Sequence, residues 1–127
     1  MTQSQAARHW LKSAKRNVKV AEDSFKAGHY DWSLFFWHLV LEKTLKGLII
    51  NRGKIPPPVH NLRYLAKTAG LNLTKRLDKN LKEITGFNLE ARYDDYKFKF
   101  YKKATSEFTK KWAQICREAY QWLLKKI

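Results

Sequence analysis

The sequence predicts an all-α protein, an up-and-down helical bundle of about five helices, three long and two shorter. Near both ends of the chain, apolar residues recur at spacings of three and four, which is typical of amphipathic helices. A segment over residues 32–51 is apolar on almost every side, and such a helix belongs at the centre of a bundle. Glycines and prolines separate these segments. The length of 127 residues suits one domain, so we expect a single domain over 1–127.

The expected elements follow in chain order. Thr2 or Ser4 can cap the first helix, and Gly28 can end it in a left-handed turn. Asp31 is the expected cap of the second helix, whose core includes Phe36 and Leu45. The helices are expected at about 4–27, 32–51 and 61–69, then after Thr74, and finally from Thr105 to the C-terminus. Between the last two, residues 92–103 alternate aromatics with lysines, which favours an extended piece or an irregular loop.

Composition limits the possible functions. The formal net charge is +15, which favours anionic partners such as RNA, DNA or an acidic protein, although a solvated basic surface would look the same. No apolar run approaches the roughly 20 residues of a membrane span, so no membrane contact is expected. The single cysteine, Cys116, cannot form an internal disulfide, and we expect a cytoplasmic protein. No glycine-rich phosphate loop, nucleophile elbow or paired-cysteine zinc spacing occurs, and neither a metal nor a cofactor is expected.

Two groups of residues are candidates for function. The first is a polar seam on the central helix, where charged residues need partners if they are buried: His38, Glu42, Lys43 and Lys46. The second is the aromatic and basic segment, whose rings either cover the end of the bundle or stack on single-stranded nucleic acid. Its binding candidates are Arg92, Tyr93, Tyr96, Lys97, Lys99, Lys102 and Lys103, with Phe98 also available for stacking. His60, after three prolines, could cap a helix, bond a loop carbonyl or act as a base.

Four short motifs recur in the order typical of one family. They are Gly28-His29-Tyr30, then Glu42-Lys43-x-Leu45-Lys46-x-Leu48-Ile49, then His60-Asn61-Leu62-x-x-Leu65, and finally Ala91-Arg92-Tyr93. In these motifs the chain resembles the HEPN family of small helical proteins. The resemblance implies an up-and-down bundle that commonly pairs with itself, so we expect a homodimer.

The resemblance implies two alternative functions. Many family members are metal-independent RNA-cleaving toxins in which four to six residues separate an arginine from a following histidine, yet here Lys97, Phe98 and Lys99 follow Arg92 at that spacing. Others accompany a minimal nucleotidyltransferase in a toxin–antitoxin-like module and bind nucleotide, RNA or the partner. We therefore expect a binding or accessory protein of that second kind, with no catalytic residues. The alternative is an endoribonuclease with a non-standard site, its base being His60 or His38.

Overall fold

A computed structural model describes residues 1–127 of the chain, apart from the side chain of Asp94. The fold is a bundle of six α-helices, and the described residues contain no strand. The helices are α1 (Gln3–Lys26), α2 (Tyr30–Asn51), α3 (Leu62–Thr68), α4 (Lys75–Glu90), α5 (Asp94–Lys103) and α6 (Ser106–Leu124). The predicted helical bundle is confirmed, with six helices where about five were expected.

Helix α2 is the centre of the bundle, as its apolar composition predicts. It packs against α1, α3, α4, α5 and α6, and most of its side chains are buried. Leu45 is fully buried, whereas Phe36, expected in the core, is only half-buried at the edge. The most extensive contact between two helices is that of α1 with α2. These helices pack closely because three buried alanines of α1 stand seven residues apart, and because Gly47 of α2 lies where a Cβ atom would meet Leu11 at 2.8 Å.

Side-chain caps and glycines set most helix boundaries. The side chains of Thr2, Asn61, Thr74 and Thr105 each accept a hydrogen bond from a backbone amide in the first turn of α1, α3, α4 and α6. Gly28 adopts a φ of +81° and ends α1, a conformation that favours glycine.

The predicted cap at Asp31 is wrong. Helix α2 begins at Tyr30 with His29 as the preceding residue, and Asp31 lies buried in the first turn. The turn at Gly28 is so tight that the chain enters α2 two residues later, which leaves no room for a cap at Asp31. A carboxylate in the first turn still interacts favourably with the helix dipole.

The predicted extended segment is also wrong, because residues 94–103 form α5. The alternation of aromatics and lysines does not mark a sheet face here. Phe100 alone of its aromatics is fully buried, and its ring lies 5.6 Å from that of Phe87 on α4. A short helix that anchors one ring leaves its other aromatics in solvent. The same aromatic cluster includes Phe108 and Trp112 at the start of α6.

Cys116 is fully buried on the inner side of α6, as expected of a small hydrophobic residue, and burial raises the pKa of its thiol.

Among the described residues, no helix is both long enough and apolar enough to cross a membrane.

Substituting Leu45 by Ala should lower the free energy of unfolding by about 2–5 kcal/mol, because a cavity would remain at the centre of the bundle. Substituting Phe36 by Ala should cost less, since that ring is only half-buried. Urea denaturation followed by circular dichroism measures both. A larger loss for Phe36→Ala than for Leu45→Ala would contradict this account of the core.

Candidate functional site

Four polar side chains meet on one side of α2 and form a polar cluster: His38, Glu42, Lys46 and His60. The first three stand at successive turns of α2, so that helical spacing alone places them on one face. His60 comes from the loop between α2 and α3. The cluster contains three residues of the predicted polar seam, His38, Glu42 and Lys46, together with His60.

Glu42 is the hub of the polar cluster. One carboxylate oxygen accepts a hydrogen bond from Lys46 Nζ at 2.9 Å, and the other lies 3.0 Å from His60 Nδ1. Burial by itself would raise the pKa of Glu42, but the hydrogen bonds from Lys46 and His60 outweigh it and hold the pKa below its ordinary value. The carboxylate is therefore ionised at neutral pH.

His38 is a structural member of the cluster. Its side chain is fully buried, and its Nε2 donates to the backbone carbonyl of His60 at 2.9 Å. Burial lowers the pKa of His38 from 6.5 to about 4, so the imidazole is neutral at pH 7. Its Nδ1 lies 3.8 Å from Glu42 and has no hydrogen-bond partner among the described residues.

The other members differ in their access to solvent. Lys46 is buried, with its ammonium group 5.4 Å from the centre of the Trp10 ring, so a cation–π contact supplements its ion pair. The side chain of His60 is 54% exposed, so this imidazole alone connects the cluster to the surface. Lys43 is not part of the cluster, because its ammonium group donates to Ser13 on α1, on another side of α2.

A second candidate is an aromatic–basic surface built from α5, the residues before it and the start of α2. Three of its rings are unusually exposed for aromatic side chains: Tyr93 is 51% exposed, Phe98 67% and Tyr101 66%. We define this surface by Trp32, Phe35, Arg92, Tyr93, Lys97, Phe98, Tyr101 and Lys102.

Cations lie directly over rings of this surface. The guanidinium group of Arg92 is 5.8 Å from the centre of the Phe35 ring and 5.5 Å from that of Tyr93, and its Nε donates to the carbonyl of Asn88. Lys97 lies 5.8 Å from the Trp32 ring, and Lys102 lies 4.6 Å from the Phe98 ring. These distances are within the range of cation–π attraction.

Three predicted residues lie elsewhere because the segment is helical. Lys103 points toward α4, where its ammonium group lies 3.4 Å from Glu83 and 3.8 Å from Glu90. Lys99 stands one turn before Lys103, and Tyr96 stands one turn before Lys99, so both share that side of the helix and are exposed there. Tyr101, which the sequence reasoning did not single out, joins the surface because it lies one turn after Phe98.

Comparison with known proteins places the chain in a family. The HEPN domain family model matches residues 7–127, and the chain belongs to this family. The resemblance in the four motifs is thereby confirmed.

A solved structure agrees in fold. The crystal structure of TT1696 from Thermus thermophilus is similar, with a TM-score of 0.82 and 23% sequence identity, over 95% of this chain and 98% of that one. At this identity the likeness concerns the fold alone. No curated protein matches the sequence significantly.

The polar cluster predicts that acid destabilises the protein. The unfolded chain takes up a proton at His38 between pH 6.5 and about 4, whereas the folded chain does not, so stability falls as the pH drops through this window. The loss attributable to His38 should approach about 3 kcal/mol. A His38→Gln variant should lose less than the wild type over this range in urea denaturation. The exposed His9→Gln is the control, and it should behave like the wild type.

Proposed function

We propose that this HEPN domain is a binding protein whose aromatic–basic surface holds single-stranded RNA or a nucleotide. The observation that supports it best is the group of three exposed rings on this surface, Tyr93, Phe98 and Tyr101, with cations in contact with the same surface. Exposed aromatic rings are costly in water unless a partner covers them, and stacked bases are one such partner.

The chemistry of the surface fits a phosphate-bearing ligand. Arg92 presents a planar fork that can donate two parallel hydrogen bonds to a phosphate, while Lys97 and Lys102 supply charge. The rings can stack with any base at about 1–3 kcal/mol each, with little regard to sequence. Tyr96, Lys99 and Lys103, predicted from the sequence, are weaker candidates because they lie on the side of α5 that faces α4.

The basic stripe of α1 is the competing surface. Its exposed cations are Arg8, Lys12, Lys15, Arg16 and Lys19. Lys19 is paired with Asp23 at 3.3 Å, and the two large aromatic rings of α1, Trp10 and Phe25, are partly buried. Such a stripe can attract polyanions without offering a place for a base.

The partners proposed from the resemblance are a second copy of the chain and a minimal nucleotidyltransferase. In that arrangement the protein is an accessory subunit of a toxin–antitoxin-like module. Exposed aromatics support pairing of some kind, because aromatic residues are enriched at the centres of interfaces. Sedimentation at micromolar concentration, compared with the 15.1 kDa of one chain, measures the pairing with itself.

Charge reversal separates a defined site from general attraction. Lys97→Glu combined with Lys102→Glu should weaken binding of a single-stranded RNA by tenfold or more in fluorescence anisotropy, and Tyr101→Ala should weaken it by about 1–3 kcal/mol through lost stacking. The matched control, Lys12→Glu with Lys15→Glu, changes the net charge equally but should cost much less. Equal losses from the two pairs would contradict a defined site, and so would the absence of wild-type binding at low salt.

A second candidate function is RNA cleavage with His60 as the base, and the contact between His60 and Glu42 favours it. In the tautomer whose Nδ1–H donates to the carboxylate, Nε2 carries the free lone pair, and this imidazole is half exposed. Such a nitrogen could take the proton of a 2′-hydroxyl as that oxygen attacks the adjacent phosphate. The bond to the 5′-oxygen of the next nucleotide then breaks, that oxygen takes a proton from water, and a 2′,3′-cyclic phosphate remains. His38 does not suit this role, because it is buried and its Nε2 is occupied.

The same RNA distinguishes binding from cleavage. We expect wild-type protein to return the RNA intact after incubation without metal, as a binding protein would. Cleavage that disappears in His60→Ala but persists in the surface control His9→Ala would replace the binding proposal with the catalytic one. Gel analysis of end-labelled RNA measures both results.

A further inference from the structure

A long open groove separates α4 from α6 on a side of the bundle that neither candidate site uses. Both helices pack on α2, but they contact each other mainly at one end, where Phe87 meets Phe108 and Trp112. The groove runs from Thr74, before α4, to Glu90 at its end, and its volume is about 1180 Å³. We call it the α4–α6 groove.

The size and lining of the groove suit a helix better than a small molecule. Small-molecule pockets are usually about 300–1,000 Å³ and more enclosed, whereas this groove follows the full length of α4, about 24 Å. Its apolar lining comes mainly from α6, where the residues recur at helical spacing, and Leu77 adds to it from α4. The α6 residues are Trp112, Ile115, Ala119 and Trp122. An amphipathic helix laid between two helices makes this kind of contact.

The charges at the rim indicate which helix fits. Arg76, Lys79 and Lys82 on α4 and Lys111 on α6 form no ion pair with any described residue. Of the three acids at the rim, Glu83 and Glu90 already lie beside Lys103. The charges left without a partner are therefore mostly positive.

We propose that the α4–α6 groove docks an acidic amphipathic helix of a partner protein. The apolar side of that helix would cover Trp112, Ile115 and Trp122, and its carboxylates would meet the unpaired cations of the rim. A second copy of this chain is a poor occupant, because it carries the same charge of +15. The proposal does not depend on RNA binding by the aromatic–basic surface.

A designed peptide probes the groove directly. The probe is a labelled helical peptide of sixteen residues, the length of α4, with leucines on one face and glutamates on both flanks. Its twin carries lysines in place of the glutamates. In fluorescence anisotropy the acidic peptide should bind wild-type protein at one per chain, and the basic twin should not bind.

Matched variants locate the contact. Arg76→Glu with Lys79→Glu should weaken binding of the acidic peptide by about tenfold or more and should allow the basic twin to bind. Trp122→Ser should also weaken binding of the acidic peptide, with circular dichroism confirming the fold. Lys12→Glu with Lys15→Glu on α1, and Lys97→Glu with Lys102→Glu on α5, should change binding less than twofold. The α5 pair distinguishes this proposal from the RNA proposal, because that variant should lose RNA binding and retain peptide binding.

Three outcomes would overturn the proposal. The acidic peptide could fail to bind the wild type at low salt. The α1 pair could weaken binding as much as the α4 pair, which would mean general attraction to a basic protein. Sedimentation could show a wild-type dimer that Trp122→Ser converts to a monomer, which would make a second copy the occupant of the groove.

Discussion

The buried carboxylate of Glu42 is the constraint on which the centre of the molecule depends. A carboxylate inside a bundle needs cationic or hydrogen-bonding partners, and breaking such a pair costs about 3–5 kcal/mol because a charge is left uncompensated. Lys46 provides one partner within α2, and His60 provides the other from the following loop. The loop is thereby tied to the central helix, and the bond from His38 to the His60 carbonyl ties it a second time.

This arrangement also links the two candidate sites. Phe35, His38, Glu42 and Lys46 are spaced by three or four residues and form one continuous stripe along α2. Arg92 lies over Phe35 at one end of the stripe, and its charge contributes to lowering the pKa of His38. Trp10 covers Lys46 at the other end. Glu42, in the middle of the stripe, contacts the exposed imidazole of His60. A single helix face therefore positions both the buried polar cluster and the arginine of the aromatic–basic surface.

The parts of the fold that were predictable from sequence were those where one signal dominated. One signal alone predicted the element or its boundary in three cases: the apolar composition of α2, the threonine caps, and the glycine at the end of α1. The failure at α5 has a clear reason. A ten-residue helix that buries chiefly Phe100 has no apolar stripe, so its pattern looks extended. The error in secondary structure then carried over to the site, since lysines two apart share a face in a strand and not in a helix.

The contact between His60 and Glu42 could not be predicted in the same way. The two residues are 18 positions apart, across a proline-containing loop, and only the path of that loop brings them together. Sequence spacing predicts neighbours on one helix, and it is silent on pairs joined by a turn.

Lys103 lies on a different surface from the one that its neighbours in the sequence indicate. It ends a run of lysines and aromatics, yet its ammonium group lies beside both Glu83 and Glu90 at the α4–α6 groove and offsets part of their charge. Burial raises the pKa of Glu90, and the attraction of Lys103 opposes that rise. With these acids satisfied from α5, the remaining rim cations are free to attract carboxylates. The orientation of α5 therefore determines the charge of both surfaces, because it directs Lys97 and Lys102 to one and Lys103 to the other.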